Sequence, residues 1–166
     1  METLFPETAY TTPDTHSAAW RYKLCPFRSL MFYLELYLRA FGPARKMALR
    51  GELGLPEMVQ GIGVIKDTIE KTGGKFCVEG LDQVKRTADQ PCVFVANHMS
   101  SLETFIVPSM IFPYKSVSFI VKKSLPEHWL FGPIMRKAGP ITVTRENPKE
   151  DFRKVLKEGT ECLASS

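Results

Sequence analysis

Of the three histidines in this 166-residue sequence, His16, His98 and His128, only His98 has surroundings that suit proton transfer. It follows residues 91–96 (PCVFVA), a continuous apolar run of the kind that forms a strand buried on both faces. It precedes a stretch with helical character. In open α/β sheets, the carboxyl edge of a strand is where ligands bind. The local sequence is Val95-Ala96-Asn97-His98-Met99-Ser100-Ser101-Leu102-Glu103. On an uninterrupted helix, residues five apart are turned by about 140° and do not face each other. Glu103 therefore reaches the imidazole only if His98 lies in the turn before the helix. A carboxylate that accepts from one ring nitrogen fixes the tautomer and leaves the other nitrogen free as a base. A second reading stays open. Ser100-x-x-Glu103 is a capping box, in which Glu103 reaches back to a backbone N–H and His98 is structural.

The elements needed to position this turn can be read along the chain. Residues 75–80 (KFCVEG), 91–96, 117–122 (VSFIVK) and 141–144 (ITVT) have strand composition. Helices are expected at 57–72, where Met58, Ile62, Ile65 and Ile69 recur with helical period, and at 97–110, where Pro108 shortens or kinks the helix. Two more are expected at 127–138, stopped by Gly139-Pro140, and at 148–163, with Pro148 in the first turn. Strands alternating with helices predict an α/β domain with a largely parallel sheet flanked by helices. Gly61-x-Gly63 lacks the preceding strand and third glycine of a dinucleotide fingerprint.

Ahead of this domain, charge is unevenly placed. Residues 1–19 hold Glu2, Glu7 and Asp14 with no Lys or Arg, and their polar, turn-rich composition predicts a poorly ordered start. Residues 20–50 hold Arg21, Lys23, Arg28, Arg39, Arg45, Lys46 and Arg50 against Glu35 alone. Residues 29–41 (SLMFYLELYLRAF) form an apolar, aromatic helix that Ser29 caps and Gly42-Pro43 ends, with Glu35 and Arg39 paired on one face. It is too short to span a bilayer, which takes about 20 apolar residues. It reads either as an amphipathic, membrane-associating helix held on anionic lipid by its basic flanks, or as a helix buried on the domain core. The organisation is then residues 1–19, a helical segment 20–74, and a catalytic domain over 75–166.

Composition excludes other classes. Hydrophobic residues at 44% and charged residues at 24% match a globular domain, against disorder or collagen. A net charge of +4 is too weak to imply nucleic acid. Cys25, Cys77, Cys92 and Cys162 have no Cys-x-x-Cys spacing, so no zinc or redox site is expected and a reducing compartment is.

Asn97-His98 followed by Glu103 resembles the Asn-His-x-x-x-x-Asp signature of the glycerophospholipid acyltransferases, which include the 1-acylglycerol-3-phosphate (lysophosphatidate) acyltransferases. The likeness continues in order over roughly 75–163. Val78-Glu79-Gly80-Leu81 looks like the strand that opens the domain, and Phe119 to Leu125 (FIVKKSL) like the strand and Lys-rich turn after the motif. Phe131-Gly132 and Ala138-Gly139 match small-residue positions, and Gly139 to Arg145 (GPITVTR) resembles the second motif, a Gly, a strand and an Arg. Two departures stand out. Glu103 replaces the usual Asp. Glu158-Gly159-Thr160 spells a third motif but falls in a helix, and the strand expected to carry that motif does not occur before Ser166. The chain therefore reads as a C-terminally incomplete acyltransferase domain.

The resemblance implies an enzyme in which His98 is the general base and Glu103 its orienting carboxylate. It places Asn97, Ser101, Lys122 and Arg145 on the substrate, with Arg145 binding a phosphate. Without the resemblance, Arg145 reads equally as a surface ion-pair partner of Glu146 or Asp151. The implied donor is acyl-CoA or acyl-carrier protein and the acceptor a lysophospholipid. No metal and no bound cofactor are implied, and the enzyme is expected at the cytoplasmic face of a membrane. Two rivals remain: a catalytically inactive fragment that binds lipid, and a hydrolase using Cys92 or Ser100 with His98. No Gly-x-Ser-x-Gly elbow supports the second.

Overall fold

The computed structural model describes residues 4–5, 8–14, 27–100 and 102–165. Its spine is helix α3, Leu55–Lys71. Pro56 sits in the first turn, and Glu57 caps the start by accepting from the Gly54 N–H at 2.9 Å. The apolar stripe turns Val59, Ile62 and Ile65 into the core beside Phe5, Leu36, Ala40, Leu81, Ile106 and Phe112.

Ahead of it lie α1, Arg28–Leu36, and α2, Gly42–Arg50, joined by a π-helical turn over Tyr37–Phe41. Gly42-Pro43 was expected to end the helix, and instead the helix runs on. Proline in a first turn needs no N–H partner, and the widened turn absorbs the missing bond. Gly42 is suited to the site because a Cβ there would come within 2.8 Å of the Tyr37 carbonyl oxygen. The Glu35–Arg39 pair forms at 2.6 Å, and Arg39 also approaches Asp67 of α3 at 3.4 Å.

Of residues 1–19, the structure describes 4–5 and 8–14. Strand β1, Ala9–Thr11, pairs antiparallel with β2, Cys77–Glu79, and Phe5 packs edge-on to Tyr10 and Phe76. Beyond the strand, Thr12 is 2% exposed. Its hydroxyl donates to Glu70 at 2.6 Å, as does the Tyr10 hydroxyl, while Lys66 donates to both Tyr10 (2.8 Å) and Glu70 (3.1 Å). Burial alone would raise the Glu70 pKa, but the hydrogen bonds from Thr12, Tyr10 and Lys66 outweigh it and hold the carboxyl below its usual range. These polar contacts, invisible to a local reading, bind the segment in place.

The sheet also differs from expectation. Among the described residues there are two two-stranded sheets: the antiparallel β1–β2 pair, and a parallel pair of β3, Ile120–Lys122, with β4, Ile141–Val143. The run 91–96 is not a strand. Among the described residues no strand pairs with it, and Val95 is 91% exposed. Five further helices follow different local logic. Helix α4, Leu81–Arg86, was not anticipated; it buries Leu81 and pairs Asp82 with Arg86. Helix α5, Glu103–Ile111, starts six residues later than expected. The expected helix over 127–138 shortens to α7, Gly132–Lys137, preceded by a separate short helix α6, Ser124–Glu127, because His128 is extended and its ring accepts from the N–H groups of Leu130 and Phe131. Helix α8, Pro148–Ala164, begins at Asn147, whose side chain accepts from Glu150 N–H. Glu158-Gly159-Thr160 lies within it.

Candidate functional site

The start of α5 and the extended segment before it bring His98, Ser100 and Glu103 together. His98 lies outside the helix and Glu103 is its first residue, so the five-residue spacing closes: His98 Nδ1 lies 2.9 Å from Glu103 Oε1. The same Oε1 accepts from the Ser100 backbone N–H at 2.6 Å, and Oε2 accepts from the Ser100 hydroxyl. Ser100 Oγ in turn accepts from Leu102 N–H at 3.0 Å. The two readings of Glu103 are thus not exclusive. One carboxylate accepts from the Ser100 N–H and touches the imidazole.

The electrostatics follow. The Ser100 hydroxyl first, then the Ser100 N–H and His98, hold the Glu103 carboxyl far below the usual carboxylate range. It is a fixed anion at neutral pH, set in the first turn of α5, where the helix dipole also favours negative charge. The imidazole it holds is 71% exposed at its side chain, and Nε2 has no partner among the described residues. Neither Cys92 nor Ser100 is bonded to His98. The Cys92 sulfur faces Lys115 at 3.3 Å, and the Ser100 hydroxyl is committed to Glu103.

The other sequence-derived candidates are placed as follows. Asn97 is exposed beside His98, and Ser101 lies outside the described residues. Lys122 ends β3, and Arg145 follows β4 by two residues. Because the strands are parallel, both stand at the same edge of the pair. No contact among the described residues joins them to His98.

Arg145 has a feature that composition does not reveal. Its φ is 65°, the one left-handed non-glycine backbone among the described residues. Asp151, in the first turn of α8, holds this shape by accepting from Thr144 N–H at 2.8 Å and Arg145 N–H at 2.7 Å. The Thr144 N–H first, and then that of Arg145, lower the Asp151 pKa. Asp151 was foreseen only as an ion-pair partner for the guanidinium. It binds the Arg145 backbone instead, and the side chain is left exposed. The signal was an Asp in a helical first turn just after a β-branched strand.

Behind the site, Phe41 of the π-turn packs on Phe105 of α5 and on Phe131, at centroid distances of 5.1 and 5.0 Å. These rings tie the N-terminal helices to the element that carries Glu103.

Comparison with known proteins bears on the same stretch. The family model described as "Acyltransferase" matches residues 75–165. Over 91 residues the chain is 31% identical to the 1-acyl-sn-glycerol-3-phosphate acyltransferase of Pseudomonas aeruginosa, which covers 55% of this chain and 33% of that protein. The chain thus spans about a third of the length of this relative. No solved structure matches.

Proposed function

Because this chain belongs to the acyltransferase family, we propose that it moves a fatty acyl group from a thioester donor, acyl-CoA or acyl-carrier protein, to the hydroxyl of a lysophospholipid such as 1-acyl-glycerol-3-phosphate. The observation that carries this reading is the 2.9 Å contact between His98 Nδ1 and an ionised Glu103, with Nε2 facing solvent. Glu103 holds the tautomer in which Nε2 is the acceptor. Nε2 takes the acceptor's hydroxyl proton as the oxygen attacks the thioester carbonyl. The tetrahedral intermediate collapses, the C–S bond breaks, and the imidazolium returns the proton to the leaving thiolate. The products are an ester and a free thiol. Glu103 stabilises the imidazolium during this sequence.

Arg145 is suited to the acceptor's phosphate. Its guanidinium is always charged and offers a planar fork, and its strained backbone is fixed by Asp151. Lys122, at the same strand edge, adds positive charge. Asn97 and Ser101 flank the base and belong to the same substrate-contacting segment in this reading.

A membrane surface is the proposed workplace. Leu30, Tyr33, Leu34 and Leu38 of the first helices are exposed, next to a strongly basic stretch of sequence. This arrangement suits a helix lying among anionic headgroups. Among the described residues no helix is long and apolar enough to cross a membrane. The exposed face also supports the rival reading of a lipid-binding protein without catalysis. Incubation of the purified chain with acyl-CoA and lysophosphatidate on anionic vesicles decides between them. Thiol release matched by phosphatidate formation supports acyl transfer. Vesicle binding with no product selects the lipid-binding reading, and free fatty acid released without an acceptor points to a hydrolase.

A further inference from the structure

Trp129 is 63% exposed, although tryptophan is highly buried on average in folded proteins. Its loop is held from both sides. Leu130 is buried, and Phe131 packs on Phe41 and Phe105. Before it, the His128 ring accepts from the N–H groups of both Leu130 and Phe131. The backbone is thus fixed while the indole is presented to solvent.

A basic helix stands beside it. Arg45 of α2 donates from Nε to the Trp129 carbonyl at 2.9 Å, and its guanidinium carbon lies 6.0 Å from the centre of the indole. Lys46, Leu49 and Arg50 follow along α2 and are exposed. Residues four apart share a helix face, so Leu49 stands one turn beyond Arg45, and Arg50 one turn beyond Lys46. No acidic residue occurs in α2.

Resting on the membrane-surface reading, we propose that Trp129 and this face of α2 form a contact with anionic lipid made by the acyltransferase domain itself, in addition to the exposed leucines of α1. An indole, with a polar N–H on an apolar body, settles at the boundary between headgroups and acyl chains. Arg and Lys beside it are drawn to anionic headgroups, and Leu49 adds apolar area among the charges. Charge complementarity favours a lipid surface, as does the unbroken helical path from α1 through the π-turn to α2. The contact also bears on the site. A chain held by α1 alone would be free to roll about that helix's axis, whereas a second anchor fixes how the domain faces the bilayer. Phe131, two residues after Trp129, packs on Phe105, two residues after Glu103. The anchor therefore orients the helix that carries the partner of His98.

Trp20 and Trp129 are the two tryptophans of the sequence, so Trp20→Phe leaves Trp129 as the single reporter. Its emission is read in the purified chain, without substrates, on vesicles of mixed phosphatidylglycerol and phosphatidylcholine and on phosphatidylcholine alone. On the anionic vesicles the emission should move to shorter wavelength and be quenched by brominated acyl chains, with a smaller response on the neutral ones. In the parent background, Trp129→Ala should weaken binding to anionic vesicles about tenfold, with an unaltered melting temperature. Arg45→Gln should weaken it by less and make binding less dependent on salt. A chain that binds these vesicles while Trp129 stays in water, unquenched by lipid, overturns the proposal and leaves the membrane reading standing. No vesicle binding at all overturns both. A spectral shift with acyl-carrier protein and none with lipid assigns the surface to a protein partner and also overturns the proposal. No step needs turnover, so the result is independent of acyl transfer.

Discussion

Glu70 and Glu103 are chemically the same residue, and each accepts from a hydroxyl and from a nitrogen-bearing side chain. Both are held below the usual carboxylate range. Their surroundings assign them different tasks. Glu70 is buried, and its partners Tyr10, Thr12 and Lys66 bind strand β1 to helix α3. Its cation is a lysine, raised above its ordinary value because hydrogen bonds to Tyr10 and Glu70 outweigh burial, so neither charge changes near neutrality. Glu103 lies at an open helix start, and its partner is an imidazole with a second nitrogen left to solvent. A permanent ion pair fastens; a carboxylate that holds one nitrogen of a ring leaves the other nitrogen open to a proton.

The largest effect that would break this contrast is on His98. His98→Ala should lower kcat by roughly 10²–10⁴-fold, and as an exposed substitution should move stability by no more than about 0.5 kcal/mol. Steady-state assays and a thermal melt check both, and near-parental turnover would remove His98 from the mechanism. Glu70→Ala should do the reverse, costing about 2–3 kcal/mol by leaving buried donors unmatched, with kcat little altered in the folded fraction. Denaturant titration measures the loss, and a midpoint equal to the parent's would show that Glu70 fastens nothing.

The same contact should depend on pH with a predictable sign. The Glu70 pKa is depressed in the fold, so its contribution is full above the ordinary glutamate value of 4.5 and is lost as pH falls through the folded value. The Lys66 pKa is raised, so its contribution is full below 10.5 and lost as pH rises through its folded value. Stability measured across pH should show a plateau between these limits, and Glu70→Ala should make the acid side less steep, with Glu103 and Asp151 still contributing there.

Smaller effects sharpen the comparison. Glu103→Gln keeps a carbonyl oxygen near His98 but removes the anion. It should reduce kcat by about 10- to 100-fold, in the range seen when a supporting partner is lost, while the fold persists. Arg145→Ala should raise the acceptor KM about tenfold, a loss of about 1.4 kcal/mol, leaving donor KM unaltered. An unaltered acceptor KM would show that Arg145 does not contact the phosphate.

What could be read beforehand follows from the range of the forces involved. Helices α3 and α8 were legible because period, caps and first-turn prolines are local signals. The His98–Glu103 contact was one of two readings that spacing left open, because it needed a turn before the helix, and the family resemblance favoured it. The run 91–96 misled because an apolar stretch becomes a strand only beside a partner, and no local pattern supplies one. The Glu70 cluster joins residues 58 to 60 positions apart, beyond any local pattern. The left-handed Arg145 was hidden because its cause, Asp151, acts through backbone N–H groups rather than through the charge that suggested a salt bridge.

The π-turn at Tyr37–Phe41 winds five residues through nearly the angle that one fewer would cover in an α-helix, so the extra residue is absorbed without rotating α1 against α2. Loss of one residue there should restore regular winding and leave Leu36 facing the core. The same loss within α1 would turn every earlier side chain of that helix by about 100°. The widened turn is thus the place in this segment where the count of residues can change at least cost to the packing on either side.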